Sequence, residues 1–334
     1  MKQDPHESYS RAERFAKSGF DEGFLQALNE LLSNAAFPVP CNVRTSTELP
    51  IVYLVGLPRS GTTLPSQVVS RQLEVGYINN IVARFWLRPS VGIRLSNALL
   101  GDSRRELIEL ASTYGVTTDI VGPHEFGYFW RHWLNLDAQP THNLTPAAEQ
   151  RIDKTGLRNA LERELLAEFD MPLVFKNVIC GFHASLLTAV HSRSLFVMIR
   201  RNLHDVGASI LHARKQRYGD YRAWWSLKPS TYEAISQIED PGHQVACQVN
   251  DCLAEMMAEL ARPVVNTVYV DYEELCLEPI RVLERICAKL TAMGTPLTLT
   301  SRLSNVLSPS RPPPLPEAIE KSLTDALADR DWRL

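Results

Sequence analysis

The fold is decided by residues 51–69, IVYLVGLPRSGTTLPSQVV. A run of apolar residues with the length of a buried strand leads into a glycine-bounded loop, and a helical pattern follows. This order is that of a phosphate-binding loop, whose usual pattern is G-x-x-x-x-G-K-[ST]. Gly56, Gly61 and Thr63 fit the pattern, but Thr62 stands at the position of the lysine.

The loop is suited to an anion that carries few phosphates. Consecutive backbone N–H groups and the N-terminus of the following helix favour negative charge at one spot. The hydroxyls of Thr62 and Thr63 can donate to anionic oxygens, and Arg59 inside the loop can reach them with its planar guanidinium. The lysine that normally reaches the β- and γ-phosphates of a nucleoside triphosphate is missing. The loop therefore favours a ligand with fewer phosphates, handled without a metal ion.

The composition is that of an ordinary globular protein. The 334 residues are 45% hydrophobic and 22% charged, and 35 Lys and Arg against 38 Asp and Glu give a net charge of −3. This balance argues against nucleic acid as a partner. The six cysteines form no CxxC pair and predict buried free thiols. Without a signal peptide or a run of about 18 apolar residues, we expect a cytoplasmic protein with no membrane span; its oligomeric state stays open.

Short apolar runs alternate with helical patterns along the chain. Four runs have the length of strands: IVYLVG (51–56), MPLVFKNVI (171–179), SLFVMIR (194–200) and VVNTVYVDY (264–272). Helices between them predict βαβ units and a mainly parallel sheet that is covered on both faces. We therefore expect a single domain of the α/β class, with a three-layer α/β/α fold like that of P-loop NTPases.

The remaining segments are arranged around this core. In chain order we predict a helical N-terminal extension over 1–49, the core over 50–292 with an insertion over about 79–145, and a proline-rich arm with a C-terminal helix over 293–334. Periodicity predicts a helix over 8–33, mostly helical structure over 79–116 and one amphipathic helix over 145–169. Thr145 is the expected N-cap of the last of these, with a proline at the first helical position.

A second phosphate site is predicted where the third apolar run continues as RNLHDVGAS. Arg201 follows the carboxyl end of that strand, and Ser209 lies on the adjoining helix. Both can converge on one phosphate, because ligands of open α/β sheets bind at those ends. Asn202 and Asp205 are expected to cap the helix. Taken singly, Arg201 would fit a surface salt bridge, and Ser209 a helix-packing residue.

Two segments together resemble the nucleotide-binding signatures of sulfotransferases that use 3′-phosphoadenosine 5′-phosphosulfate (PAPS). They are GLPRSGTTL (56–64) and FVMIRRNLHDVGAS (196–209). VYVDYEELCLEPIRVLERICAKL (268–290) is similar to the family's Y-E-x-L strand-to-helix element, and the resemblance covers about residues 50–292. It implies an enzyme that moves the sulfuryl group of PAPS to a hydroxyl or amine of an acceptor, with residues 79–145 on the acceptor side.

Carried over residue by residue, the resemblance places the 5′-phosphosulfate in a loop of Arg59, Ser60, Gly61, Thr62 and Thr63. It assigns the 3′-phosphate to Arg201 and Ser209. Lys176, at a strand end, matches a family lysine near the transferred group, although a surface lysine with a snorkelling side chain would also fit. Arg59, Lys176 and the loop N–H groups can stabilise the leaving oxygen, so we expect no metal ion.

The sequence departs from the family at the general base. Cytosolic members have a histidine two residues after the lysine, where this chain has Val178; protein-tyrosine members have a glutamate where it has Asn79 and Asn80. We predict that either His124 or Glu125, which are flanked by aromatic residues, is the base. Partial burial would raise the pKa of Glu125, and histidine ordinarily titrates near neutrality. A helix N-terminus in an aromatic core would also explain the pair.

Several alternatives stay open. His132 and His183 are weaker candidates for the base. A nucleotide kinase or NTPase would use Asp271 as the acid that holds Mg²⁺, and a non-catalytic nucleotide-binding protein needs no base at all. The acceptor can be a carbohydrate, a lipid, a carrier-bound chain or a small metabolite. Residues 218–232, with two tryptophans, fit either a lid or simple packing, and the arm SRPPPLP (310–316) fits a stiff connector or a partner-binding segment.

Overall fold

The computed structural model describes residues 11–12, 15, 18–35, 47–101, 106–110, 119–297, 299 and 307–328. The strands within them are β1 (Ile51–Gly56), β2 (Gly76–Tyr77), β3 (Leu173–Lys176), β4 (Ser194–Arg200) and β5 (Asn266–Asp271). They form one parallel sheet in the order β2-β3-β1-β4-β5. The predicted parallel sheet is confirmed. The sequence did not predict β2, because two residues carry no periodic signal.

The middle strand, β1, is buried along its whole length. Its side chains alternate between the two faces of the sheet. The Tyr53 ring stacks on Phe196, with centroids 4.8 Å apart, in the hydrophobic core on one face, whereas Val52 and Leu54 belong to the core on the other face. Burial on both faces explains why the strand has no polar alternation. The three-layer α/β/α fold is confirmed.

The α-helices of the described residues surround the sheet. They are α1 (Gly19–Ser33), α2 (Thr63–Gln72), α3 (Pro89–Leu100), α4 (Gly127–Trp133), α5 (Pro146–Glu149), α6 (Lys154–Asn159), α7 (Ala167–Phe169), α8 (Ala184–Val190), α9 (Leu203–Tyr218), α10 (Tyr232–Ile235), α11 (Pro241–Leu260), α12 (Tyr272–Leu277), α13 (Pro279–Ala292) and α14 (Glu317–Ala328). Shorter 3₁₀ turns span Val82–Arg84, Leu136–Ala138 and Ile179–His183. None of the helices just named has the length and apolar character that a membrane crossing requires.

The single helix predicted over residues 145–169 is wrong. Thr145 caps the first helix, α5, through its hydroxyl, as predicted. The chain then leaves the helix, and Asp153 caps α6 by accepting a hydrogen bond from the N–H of Gly156 at 2.8 Å. The backbone between α6 and α7 is π-helical. The missed signal was the second capping aspartate inside an apparently continuous apolar pattern.

Two other predicted helices begin later than the periodicity indicated. The first begins at Gly19, where the Ser18 hydroxyl accepts a hydrogen bond from the N–H of Asp21 at 3.3 Å. In the second, predicted over 79–116, α3 begins at Pro89, since proline suits the first helical position, and only a 3₁₀ turn precedes it at Val82–Arg84. Parts of these predictions lie outside the described residues, namely 8–10, 13–14, 16–17, 102–105 and 111–116.

The segment considered as a lid is anchored to the body of the protein. Trp224 is buried, and its Nε1 donates to the Leu227 carbonyl oxygen at 3.2 Å. The guanidinium of Arg214, which is fully buried, lies 5.2 Å from the Trp224 ring centroid and donates to the Gln248 side chain at 2.8 Å. Of the two interpretations of this segment, packing accounts for Trp224.

Candidate active site

The candidate site lies at the carboxyl edge of the sheet, where β3, β1 and β4 end side by side. Leu54 of β1 pairs with Lys176 of β3, and Gly56 of β1 pairs with Ile199 of β4. The strands β3 and β4 flank β1 on opposite sides, which makes this edge a topological switch point of the kind where α/β proteins bind ligands. The glycine loop, Lys176 and the start of α9 therefore share one edge.

The glycine loop is tightly turned. The N–H of Ser60 donates to the Leu57 carbonyl oxygen at 3.1 Å, and Gly61 has a φ of +90°, a region that favours glycine. A Cβ at Gly61 would lie 2.4 Å from the ring of Tyr272, so this ring packs directly against the loop. Glycine is therefore required here both for the backbone conformation and for the approach of the ring.

Three hydroxyl groups line the loop at the start of α2. Ser60, Thr62 and Thr63 are 1%, 5% and 6% exposed. The Ser60 hydroxyl has no hydrogen-bond partner within the part of the chain that the structure describes. Buried hydroxyls normally have a partner, and an anionic oxygen at the positive end of the helix would be a suitable one. The donors of the loop therefore fit a phosphate or a phosphosulfate.

Arg59, Arg201 and Ser209 form one hydrogen-bonded network. Arg59 Nε donates to Ser209 Oγ at 2.9 Å, and Arg201 Nη1 donates to the Arg59 carbonyl oxygen at 3.4 Å. The Arg201 side chain is only 5% exposed, and its guanidinium lies 4.6 Å from the centroid of the Tyr272 ring. From the sequence, Arg59 and the Arg201–Ser209 pair are predicted to belong to two separate sites. The structure links them through the side chain of Arg59.

The proline-rich arm reaches this network, a contact that the sequence analysis did not predict. The Ser310 carbonyl oxygen accepts a hydrogen bond from Arg201 Nη2, and the N–H of Ser310 donates to the Tyr272 hydroxyl at 3.2 Å. A cleft of about 430 Å³ opens between the arm and the start of α9. Asn202 caps α9 as predicted, whereas Asp205 does not: its carboxylate lies 3.7 Å from Arg201.

Lys176 and Glu125 form an ion pair, with 2.9 Å between Nζ and Oε1. The Lys176 side chain is 2% exposed, so it does not snorkel to the surface, whereas Glu125 is 48% exposed. The neighbouring Asn177 holds the backbone of the same segment, because its Nδ2 donates to the Glu125 carbonyl oxygen at 2.8 Å. The end of β3 therefore positions Glu125 through two side chains.

The pKa of Glu125 moves in the direction opposite to our expectation. Desolvation on the side that faces the protein raises the pKa, although half of the side chain is exposed. The charge and hydrogen bond of Lys176, with smaller effects of His124 and Arg217, lower the pKa below its ordinary value. The predicted increase is wrong because the sequence gave no sign that a buried lysine contacts this carboxylate. Glu125 is therefore ionised at neutral pH.

His124 is oriented by the backbone. The ring Nδ1 of His124 accepts a hydrogen bond from the backbone N–H of Phe126 at 2.8 Å. The backbone N–H of His124 donates to the Ile78 carbonyl oxygen, also at 2.8 Å. An accepting Nδ1 has no hydrogen, so the neutral ring carries its hydrogen on Nε2. In that tautomer Nε2 is a hydrogen-bond donor and does not accept a proton. Of the two predicted bases, Glu125 is the one whose side chain presents a proton acceptor.

The remaining candidates have structural roles. His183 is buried, its Nε2 lies 2.9 Å from the His142 carbonyl oxygen, and burial lowers its pKa to about 4. Burial also lowers the pKa of His132. Asp271 is bound by two nitrogens of Arg200, at 2.8 and 2.9 Å. Among the described residues, no three His, Cys, Asp or Glu side chains are grouped so that they could hold a metal ion.

Three further residues, Tyr272, Asn177 and Arg217, make contacts that the sequence did not predict. Tyr272 lies within the Y-E-x-L element, and Asn177 directly follows the strand-end lysine, so both positions carried a usable signal. Arg217 carried none. Its guanidinium lies 5.1 Å from the Phe15 ring centroid and 5.3 Å from the Trp225 ring centroid, and these three residues come together only in the fold.

The fold and the site define an α/β protein with a glycine loop that lacks the usual lysine and a second basic group at the same sheet edge. The profile of the sulfotransferase family matches residues 50–293, and the chain belongs to that family. It is therefore an enzyme of the transferase class that transfers sulfuryl groups, of EC 2.8.2 type.

Two solved structures are similar to this chain over most of its length. Sulfotransferase STF9 from Mycobacterium avium is 15% identical with a TM-score of 0.45, over 93% of this chain and 73% of that one. Sulfotransferase STF1 from Mycobacterium tuberculosis H37Rv is 14% identical with a TM-score of 0.48, over 92% of this chain and 80% of that one. No curated protein matches the chain.

Proposed function

We propose that this chain transfers the sulfuryl group of PAPS to a hydroxyl or amine of an acceptor. The observation that carries the proposal is the network of Arg59, Arg201 and Ser209 beside a lysine-free glycine loop. A nucleotide with phosphates on both the 3′ and the 5′ positions matches these two groups of donors. The 5′-phosphosulfate fits the loop, and the 3′-phosphate fits Arg201 and Ser209.

Two buried donors support this fit. The Ser60 hydroxyl and Arg201 Nε both lack a hydrogen-bond partner within the described ranges. Leaving such groups unsatisfied costs about 1–3 kcal/mol each, and more for a charged group. Anionic oxygens at the loop and near Arg201 would satisfy both. Arg59, Arg201 and Lys176 supply positive charge at this edge, so the proposal includes no metal ion.

The residues around Glu125 can carry out the acceptor half of the reaction. When bound, the donor supplies the sulfuryl group. Glu125, kept ionised by Lys176, accepts the proton of the attacking hydroxyl or amine. Lys176 and Arg59 place positive charge at the sheet edge, where it stabilises the negative charge that grows on the leaving oxygen. Catalysis then rests on positioning and charge stabilisation, as in phosphoryl transfer.

We also propose a range of acceptors and a cellular location for the protein. The acceptor is a small molecule, a lipid, a carrier-bound chain or a carbohydrate with a hydroxyl or amine that reaches Glu125. A cytoplasmic location agrees with the buried thiols of Cys180, Cys252 and Cys276, because disulfides are rare in reducing compartments.

Calorimetric titration with 3′-phosphoadenosine 5′-phosphate, with and without Mg²⁺, tests the donor site. We expect binding without Mg²⁺, weakened by at least about 1.5 kcal/mol in Arg201→Ala, the low end for a charge-assisted hydrogen bond. Arg200→Ala is the matched control, since Arg200 is paired with Asp271 at the adjacent position. Equal affinity of Arg201→Ala and the unmodified protein would remove the 3′-phosphate assignment.

A transfer screen with ³⁵S-labelled PAPS over the acceptor classes tests the activity itself. Incorporation of label into at least one class is expected. Nucleotide binding without any transfer would instead support a non-catalytic protein. Turnover of ATP that EDTA abolishes would support a kinase or NTPase, although the pairing of Asp271 with Arg200 argues against its use as a metal ligand.

A further inference from the structure

Phe126, the residue after the proposed base, has a backbone conformation that aromatic residues rarely adopt. Its φ is +54°, in the left-handed region, and its buried ring stacks on Phe129 with the two centroids 4.7 Å apart. A bulky residue persists in this region only where its surroundings enforce the conformation. The turn that leads from Glu125 into α4 is therefore strained, and its neighbours hold it in place.

His124 makes a contact that closes this turn. Its ring Nδ1 accepts a hydrogen bond from the backbone N–H of Phe126, two residues further along the chain, at 2.8 Å. A side chain that accepts from the N–H two residues on forms the kind of turn that asparagine and aspartate usually form. The imidazole thus ties together the residues on both sides of Glu125.

The edge of the sheet holds the backbone around this turn. The backbone N–H of His124 donates to the Ile78 carbonyl oxygen at 2.8 Å, directly after β2, and Asn177 Nδ2 donates to the Glu125 carbonyl oxygen at 2.8 Å, directly after β3. The carboxylate of Glu125 lies 2.9 Å from Lys176 Nζ. Because the glutamate side chain is half-exposed and has several rotatable bonds, this distance depends on the backbone from which the side chain starts.

We propose that His124 is a positioning residue for the base: by accepting the Phe126 N–H bond it keeps the strained turn closed and holds Glu125 against Lys176. This inference rests on the proposed function, because it takes Glu125 to be the base. The imidazole moves no proton in this role. A general base acts only within hydrogen-bond reach of the proton that it accepts, and a small displacement of a catalytic group costs a large factor in rate.

Two substitutions separate the hydrogen bond of His124 from its charge. His124→Asn keeps an oxygen that can accept from the N–H two residues on, whereas His124→Phe keeps a planar ring and has no acceptor. Both remove the small electrostatic effect of His124 on the pKa of Glu125, so a difference between them reports on the hydrogen bond. His124→Leu repeats the loss of the acceptor with a smaller side chain. His243→Phe, at an exposed position of α11, is the control for the added ring.

The first measurement needs no activity. The glutamate carboxyl carbons are labelled with ¹³C, the Glu125 signal is identified by its loss in Glu125→Gln, and the pKa of Glu125 is measured by NMR titration of the whole protein. We expect a higher pKa of Glu125 in His124→Phe and His124→Leu than in His124→Asn, because the carboxylate loses part of its contact with Lys176. The pKa in His243→Phe should equal that in the unmodified protein.

The second measurement follows transfer from ³⁵S-labelled PAPS to the acceptor that the screen identifies. We expect kcat of His124→Phe to be at least about 10-fold below that of His124→Asn, because the misplaced carboxylate accepts the proton less effectively. The acceptor KM and the affinity for 3′-phosphoadenosine 5′-phosphate should agree within about threefold, since the turn acts on proton transfer and not on binding. A merely structural histidine would change the stability to urea and leave kcat of the two folded variants alike.

Two results would overturn the inference. One is an equal pKa of Glu125 in His124→Asn and His124→Phe, and the other is an equal kcat. Failure of the proposed function has a different signature, namely no binding of the bisphosphorylated nucleotide, no transfer to any acceptor, or full activity of Glu125→Gln. In a protein that transfers nothing, the NMR titration still reports whether His124 holds Glu125 against Lys176.

Discussion

At the scale of single residues, the ion pair of Glu125 and Lys176 controls the proposed chemistry. Lys176 is buried at a strand end, and Glu125 comes from the insertion with about half of its side chain exposed. A buried lysine needs a counter-charge, and a half-exposed carboxylate can still meet an acceptor. The same contact therefore stabilises the lysine and keeps the carboxylate ionised and in place.

Glu125→Gln should remove the carboxylate that accepts the proton of the acceptor, without disturbing the nucleotide site. We expect kcat to fall about 100-fold or more, in line with the loss of a general base, and nucleotide affinity to stay within about threefold. His124→Asn should retain most of the activity, because an asparagine oxygen can still accept the Phe126 N–H bond. Glu149→Gln, which alters the exposed pair of Glu149 and Lys154, is the control. Activity that survives in Glu125→Gln and disappears in His124→Asn would reverse the assignment of the base.

Lys176→Met should shift the pH dependence of turnover. The substitution removes the charge and the hydrogen bond through which Lys176 lowers the pKa of Glu125, so this pKa rises. In the unmodified protein the ionised base persists as the pH falls below the ordinary glutamate range, whereas in Lys176→Met the acid limb of the kcat profile should move to higher pH. The same shift is expected in an NMR titration of the labelled carboxyl carbon, which needs no activity. Lys154→Met, at the exposed pair, should leave both curves in place.

At the scale of elements, the turn from β5 into α12 connects the glycine loop and Arg201 with the proline-rich arm. Tyr272 is the first residue of α12, and its ring packs on Gly61 and lies under Arg201. Its hydroxyl accepts the hydrogen bond from Ser310 of the proline-rich arm. One aromatic residue thereby couples the loop, the second basic group and the arm.

Gly61→Ala should damage this junction more than a glycine replacement at an open position does. Gly219→Ala is the matched control, because Gly219 also has a positive φ, +75°, but has open space around it. Both variants should lose about 1 kcal/mol in the free energy of unfolding from backbone strain. Only Gly61→Ala should lose more, since its Cβ meets the Tyr272 ring, and only it should weaken nucleotide binding. Urea unfolding and calorimetry measure the two quantities, and equal losses in both variants would contradict the role of Tyr272.

At the scale of the whole molecule, buried histidine makes stability depend on pH. Burial lowers the pKa of His183 from its ordinary 6.5 to about 4, against the opposing effect of the His142 carbonyl. The unfolded chain therefore binds a proton below about pH 6.5 that the folded chain does not accept until about pH 4. Stability falls as the pH decreases through this range, by about 3 kcal/mol in total.

His183→Gln should remove this part of the pH dependence. Glutamine can still donate to the His142 carbonyl but does not titrate, so its free energy of unfolding should fall less steeply between pH 6.5 and 4 than that of the unmodified protein. The exposed His243 supplies the control, since His243→Gln should leave the slope unchanged. Parallel curves for His183→Gln and the unmodified protein, from urea unfolding at several pH values, would show that His183 titrates normally in the fold.

The sequence predicted the layered fold because its signals are local. Continuous apolar runs indicate strands buried on both faces, and the order of strand, glycine loop and helix places a phosphate-binding loop at the sheet edge. The same local signals failed over residues 145–169, where one continuous apolar pattern contains two capped helices and was predicted as a single helix. They also failed for β2, which is only two residues long.

By itself, the sequence determined the order of the strands along the chain, the position of the glycine loop and the basic residue that follows β4. Each depends on neighbours within a few positions, so each can be read from spacing. Tertiary structure alone decided that Arg59 reaches Ser209, that Lys176 is buried against Glu125, and that Phe15 and Trp225 hold Arg217. Burial and charge at these positions come from segments far apart in the chain. For that reason the pKa of Glu125 is lowered, although the sequence predicted an increase.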